Sequence, residues 1–221
     1  MSTVAEYERW KSQYLNARVA KTSRTARQGL NKCAVDLVAT IPKTIPPNLG
    51  SSFAEDMVHG RPVLYFSTPY SPTVGRQRYN LENSDCLYVS SDELAVMDER
   101  RSKGFLVTDP HRKYWLEVKL NNVLDLRYDQ PFQAIGVRKN SLCLDWEEFN
   151  KFHPNINAPS QIIGHAASQA GYEGLVFAST KAPPAFNVAI YKKNIQPPSF
   201  LRIMDSRNTF SMFGSPSLNF P

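Results

Sequence analysis

The sequence predicts an α+β protein in which a helical N-terminal extension precedes a domain built on a small mixed sheet. Val4, Tyr7, Trp10, Tyr14 and Ala17 recur at three- and four-residue steps, and Leu30, Cys33, Ala34, Leu37 and Val38 repeat the pattern after Gly29. That is the period of amphipathic helices. Beyond residue 60 the pattern changes to short β-branched and aromatic runs bounded by turn residues, alternating with short helical stretches. Between the two regimes lies Ile41-Pro42 to Pro46-Pro47, where proline removes a backbone donor and clashes with the preceding turn. The expected organisation is therefore an extension over 1–45, a sheet-based domain over 46–195 and a Pro- and Phe-rich tail over 196–221.

Each element follows from its residues. The two N-terminal helices are separated by Lys21 to Gln28, and their apolar stripe packs on the domain or on a second copy of the chain. Pro62-Val63-Leu64-Tyr65-Phe66-Ser67 reads as a strand with proline at its start, where a missing donor is tolerated. Cys86 to Val89 is a second strand. Ser90-Ser91-Asp92-Glu93 has the Ser-x-x-Glu spacing of a capping box, so a helix starts there and carries Ala95 and Glu99 on one face. Tyr114 to Leu120 alternates as a strand. Ser141 to Phe152 is a short helix bearing Leu144, Trp146 and Phe149, and Ser160 to Ala170 is a second one, stopped by Gly171. Leu175 to Ala178 and Phe186 to Tyr191 are strands, and Ser179 emerges at the end of the first. The tail from Gln196 has no clear periodicity.

Composition excludes several classes. With 42% hydrophobic and 21% charged residues the chain is an ordinary globular one, and no apolar run reaches bilayer length. Glu6 and Glu8 stand where a secretion signal would be basic and then apolar, so a cytoplasmic protein is expected. Cys33, Cys86 and Cys143 form no Cys-x-x-Cys pair, and the four histidines have no ligand spacing; no metal is expected. Of the net charge of +6, residues 1–43 account for most, with eight Lys and Arg against Glu6, Glu8 and Asp36. Lys21, Arg24 and Arg27 would line a basic face, although such runs are more often simply solvated.

The stretch from Gly75 to Glu99 carries the functional signal: an arginine-rich turn, a short strand, and a helix with a carboxylate near its second turn. The pattern Arg78-Tyr79-Asn80, then Leu87-Tyr88, then Ala95 and Glu99 resembles the RES domain, the toxin half of many bacterial toxin–antitoxin pairs, named for an arginine, a glutamate and a serine. Val118 to Leu126 and Ala170 to Ser179 are similar to two further stretches of that family, and the resemblance covers roughly residues 60 to 195.

The resemblance implies a fold like that of ADP-ribosyltransferases, NAD as substrate, and an Xre-like antitoxin as partner. Nucleic acid would be contacted only through that antitoxin. It implies Glu99, Arg78, Tyr88 and Ser179 as the catalytic set, with Arg61 and Tyr79 binding the dinucleotide; Asn80 and Asn187 are weaker candidates for ligand contacts. RES proteins usually carry an arginine upstream of the Arg-Tyr-Asn turn. Arg61 is the nearest match, and Arg76 adds a basic residue to the turn itself.

The chemistry is consistent with such a set. Nicotinamide leaves NAD as a neutral molecule, so no acid must protonate it, and a carboxylate can stabilise the charge that builds on the ribose. An arginine fork suits a pyrophosphate, and an aromatic face attracts a pyridinium. Taken singly, each residue has a commoner role: Arg78 bridging a surface carboxylate, Tyr88 in the core, Ser179 ending a strand. Two other functions use the same sequence. One is ADP-ribose transfer to a protein or small-molecule acceptor, and the other is a non-catalytic module that binds through the basic N-terminal helices.

Overall fold

The structure is a computed structural model that describes residues 2–16, 20–44, 51–57, 76–82, 84, 86–92, 111–142, 145–179, 183–204 and 209–213, with backbone alone over 20–23, 51–57, 111–115, 203–204 and 209–213. The expected strand 62–67 and the expected helix after Asp92 lie outside the described residues. The chain divides into two compact units: residues 1–43, 73–84 and 128–172 form a helical unit, and residues 44–72, 85–127 and 173–221 a sheet unit.

In the helical unit, α1 (Val4–Leu15) opens on a capping box in which Thr3 Oγ1 accepts from the Glu6 N–H and the Glu6 carboxylate accepts from the Thr3 N–H. Tyr7 and Tyr14, two turns apart, are buried. The second helix, α2 (Ala20–Ala39), starts well before the expected position, so Lys21 to Gln28 belong to it and do not form a separating linker. Among the described side chains its buried stripe begins at Ala26, one turn before Leu30, and continues through Cys33, Ala34, Leu37 and Val38. Gly29 in mid-helix is explained by its neighbour: a Cβ there would run into the Trp10 ring of α1. Close packing of the two helices thus outweighs the ~1 kcal/mol by which glycine disfavours a helix.

The last turn of α2 is tied to Tyr172, whose buried hydroxyl lies 3.0 Å from the Val38 carbonyl and 2.7 Å from that of Ile41 and donates to them. Pro42 then ends the helix. Two short helices follow in the 128–172 segment, α3 (Gln130–Ile135) and α4 (Lys139–Leu142). The single helix expected over 141–152 is broken, because Asp145 caps a new one, α5 (Trp146–Phe152), by accepting from the Glu147 and Glu148 N–H groups. Its aromatic residues are not core: Trp146 and Phe149 are half-buried and Phe152 is 68% exposed.

Helix α6 (Pro159–Gln169) agrees with expectation, with Ile162, Ile163, Ala166 and Ala167 buried and Gly171 at φ 80° beyond its end. The arginine turn rests on it. Gln77 and Asn80 exchange backbone hydrogen bonds of 3.3 and 3.4 Å, and the buried Gln161 side chain donates to the Gln77 carbonyl at 3.2 Å. At Gly164 a Cβ would collide with the Tyr79 carbonyl, so the turn sits directly on the helix backbone.

Among the described residues the sheet unit holds eight strands in the order β4-β5-β6-β2-β1-β3-β7-β8. They are β1 (Ser51–Met57), β2 (Cys86–Ser90), β3 (His111–Lys119), β4 (Val123–Asp125), β5 (Gly174–Ala178), β6 (Phe186–Tyr191), β7 (Phe200–Met204) and β8 (Thr209–Phe213). All neighbours are antiparallel except β4 and β5. Strand β1 is not legible in the mixed run Ser51 to Met57, and the segment from 196 on, expected as a tail, supplies β7 and β8. One face gathers Leu87, Val89, Leu116, Val118, Val123, Val176, Val188, Ile190 and Leu201 into a core. At one end the buried Glu173 carboxylate accepts from the Asn121 and Asn122 N–H groups at 2.7 and 3.1 Å and from the Ser199 hydroxyl at 2.9 Å. It thereby ties the β3–β4 turn and the 196–199 turn to the start of β5.

Two predictions follow from the helical unit. Tyr172→Phe takes the hydroxyl donor from the buried Ile41 carbonyl, while the Val38 carbonyl keeps the Ile41 N–H, and should lower stability by roughly 1–3 kcal/mol, read by urea unfolding at neutral pH. Burial pushes the Tyr172 phenol up from 10.0 to about 12, and burial followed by the Glu8 charge pushes that of Tyr7 up as well. Their neutral forms therefore stabilise the fold fully below about pH 10, and this contribution is lost as pH rises through the folded values. Tyr172→Phe should flatten that alkaline limb; a limb identical to that of the parent would contradict the assignment. Gly164→Ala must push the Tyr79 carbonyl off α6, and should destabilise by roughly 1–3 kcal/mol in spite of alanine's better helix propensity.

Candidate functional site

Strand period decides which side chains meet. Because Leu87, Val89, Val176, Val188 and Ile190 share the core face, their chain neighbours Tyr88, Ser90, Asn187 and Phe177 point to the other one. In the β2–β6 register Tyr88 stands opposite Ala189 and Ser90 opposite Asn187, and across β5 Asn187 stands opposite Phe177. Ser179, the next position of that parity beyond Phe177, is held at the strand end by its N–H donating to the Ala185 carbonyl at 2.9 Å. Tyr88, Ser179 and Asn187 are thus brought to one face at one end of the sheet, with Ser90 among them. Ser90, Ser179 and Asn187 are all buried, at 3–5% exposure, while Tyr88 is half-buried.

The same end shows how the chain leaves β2. The Ser91 N–H donates to the Phe186 carbonyl at 2.9 Å, and the Phe186 N–H donates to the Ser91 hydroxyl at 3.0 Å. A side-chain oxygen has taken the place of a ladder carbonyl, so the main chain departs from the sheet at this residue. One residue earlier, Ser90 Oγ accepts from the Asp92 N–H at 3.3 Å. The Ser-Ser-Asp run, read from sequence as the start of a helix, is therefore also the device that ends the strand.

Sequence reasoning passed over a cluster on the core face. Asp125, 7% exposed, receives both the Arg127 Nε and NH2 donors, at 2.9 and 2.6 Å, and the Arg127 guanidinium lies 4.7 Å from the centroid of the Phe186 ring. Its signal was available as Asp-x-Arg directly after the β4 run.

The arginine turn belongs to the helical unit. Arg78 is half-buried, whereas Tyr79 and Asn80 are 4% and 1% exposed. The Asn80 side chain donates to the Leu81 carbonyl at 2.8 Å. Arg76 donates to the Pro154 carbonyl at 2.9 Å and lies 3.6 Å from Glu82, so its charge is already engaged. Arg61 and Glu99 lie outside the described residues. Among those described, no group of three or more His, Cys, Asp and Glu could hold a metal, and no helix is long and apolar enough to cross a membrane.

Comparison with known proteins agrees with this architecture. The family model of the RES domain matches residues 55–209, more than half of the chain. Among solved structures the fold is similar to that in the crystal structure of the M. tuberculosis MbcT–MbcA toxin–antitoxin complex, at a TM-score of 0.55 and 14% identity, covering 81% of this chain and 91% of that one. A search of curated proteins gives no significant match. The matched span includes the arginine turn, strand β2 and the β5–β6 pair that carries Ser179 and Asn187, and on that ground the chain belongs to the RES domain family.

Proposed function

We propose that this chain is the toxin of a bacterial toxin–antitoxin pair and that it degrades cytoplasmic NAD by cleaving the bond between nicotinamide and ribose. The observation that carries the reading is the convergence of Tyr88 and Ser179, which lie in stretches resembling the family, with Asn187, a candidate ligand contact, on one sheet face within the span of the family match. The likeness to a chain of a toxin–antitoxin complex supports an antitoxin partner. In this proposal that partner is Xre-like and covers the active site.

The reaction asks little of acid catalysis. As the C–N bond breaks, its electron pair returns to the pyridinium nitrogen and nicotinamide departs neutral. Positive charge builds on the ribose, where the Glu99 carboxylate stabilises it. A water or phosphate oxygen then bonds to the anomeric carbon; with water, a proton passes to solvent. At about 4 Å the attraction is worth ~1 kcal/mol in water but ~4 kcal/mol at an effective dielectric near 20, so enclosure matters as much as the carboxylate. Arg78 holds the pyrophosphate, with Arg61 as the upstream arginine and Tyr79 and Asn80 shaping the turn. Tyr88 offers its ring to the nicotinamide, and Ser179 and Asn187 hydrogen-bond the ribose or orient Glu99.

Purified protein incubated with NAD should release nicotinamide, measured by chromatography. Glu99→Ala should lose about 10³-fold of that rate while remaining folded, the equivalent of ~4 kcal/mol. A Glu99→Ala protein as fast as the parent would refute the assignment of the carboxylate. A parent that consumes NAD only in the presence of cell extract, leaving ADP-ribosylated species by mass spectrometry, would favour transfer over hydrolysis. Tyr88→Phe should keep KM near that of the parent, whereas Tyr88→Ala should raise it about tenfold through loss of the ring face. Equal effects of the two substitutions would sink the stacking role.

A further inference from the structure

We infer that the exposed face of α2 binds double-stranded DNA directly, through its phosphates. Helix α2 buries Ala26, Leu30, Cys33, Ala34, Leu37 and Val38 within the helical unit, and on its opposite side exposes Arg24, Arg27, Gln28 and Lys32. Arg24, Gln28 and Lys32 form a row at four-residue steps over about 12 Å of helix, with Arg27 beside it. The one carboxylate of the helix, Asp36, lies a turn further on and accepts from the Ser2 hydroxyl at 2.7 Å.

Among the described residues none of the three cations has a hydrogen-bond or ion-pair partner. Lys11, Arg76, Arg127, Lys139 and Arg202, by contrast, each face a carboxylate. The surrounding segment concentrates the charge, since residues 1–43 hold eight Lys and Arg against three carboxylates. A face of this kind is complementary to a polyanion.

The remaining chemistry narrows the polyanion. A membrane-surface helix turns large apolar residues toward the lipid, whereas those of α2 are consumed inside the unit. A-form RNA presents a major groove too narrow for a helix, while the B-DNA major groove admits one, and an amide such as Gln28 amid the cations can reach a base edge there. The expected partner is therefore duplex DNA, held mainly by backbone charge. This inference stands apart from the NAD reading, because its test contains no NAD.

The test is fluorescence anisotropy of the full-length chain with a labelled mixed-sequence DNA duplex. Three phosphate contacts should weaken binding about 40-fold between about 50 and 200 mM salt. Arg24→Gln/Arg27→Gln/Lys32→Gln should abolish that binding with an unchanged circular dichroism spectrum. The exposed triple Arg9→Gln/Arg138→Gln/Lys151→Gln, equal in net charge, should retain it. No binding at about 50 mM salt, an equal loss in both triples, equal affinity for an RNA duplex, or equally effective competition by polyglutamate of the same charge would each overturn the inference.

Discussion

The pairing of β2 with β6 is the constraint from which the rest of the sheet unit's chemistry follows. Five residue pairs, from Cys86 opposite Tyr191 to Ser90 opposite Asn187, lock a register in which Leu87, Val89, Val188 and Ile190 fall on one face. With a side-chain period of two, a slip of β2 by one residue would turn Leu87 and Val89 away from the core and carry Tyr88 and Ser90 into it, and a slip of β6 would do the same with Val188, Ile190 and Asn187. Burial of the aliphatic set is therefore what holds the polar set in place. The side-chain hydroxyl of Ser91 closes this ladder, taking over the acceptor role from the main chain at the point where the strand ends.

The helical unit is organised by close approach. Two glycines within helices stand where a side chain would strike a neighbour, Gly29 against the Trp10 ring and Gly164 against the Tyr79 carbonyl. Each gives up helix propensity so that an aromatic ring or a backbone turn can rest on the helix surface. At Gly164 the element so seated is the turn that carries Arg78, and Gln161 on the same helix holds it by a buried hydrogen bond. The position of that guanidinium on its unit is thus a property of α6 as much as of the turn.

A buried acid does similar work in the sheet unit. Glu173 gathers two backbone N–H groups and the Ser199 hydroxyl, so segments some 50 and 26 residues away in sequence meet at one carboxylate. Burying such a group costs desolvation, which hydrogen bonds to the charged form offset, and here three converge on Oε2. The consequence is that residues after 196 are anchored before β7 begins, and what reads in sequence as a proline-rich tail continues the sheet.

The amino-acid sequence by itself determined the elements whose cause is local. Strands Cys86 to Ser90, Gly174 to Ala178 and Phe186 to Tyr191 and the helices over 4–15 and 159–169 are written in periodicity and turn chemistry, as is the order of motifs that marks the family. What it could not reveal depends on partners distant along the chain. The early start of α2 places Ala26 in the buried stripe, a residue too small to register as apolar patterning until packing buries it, and the break before Trp146 rests on which of several polar residues wins the cap. β1 and β7 are strands because neighbouring strands complete their hydrogen bonds, not because their residues alternate. The shared face of Tyr88, Ser179 and Asn187 was likewise decided only in the tertiary structure, since cross-strand register sets which residues stand opposite one another and no local signal encodes it.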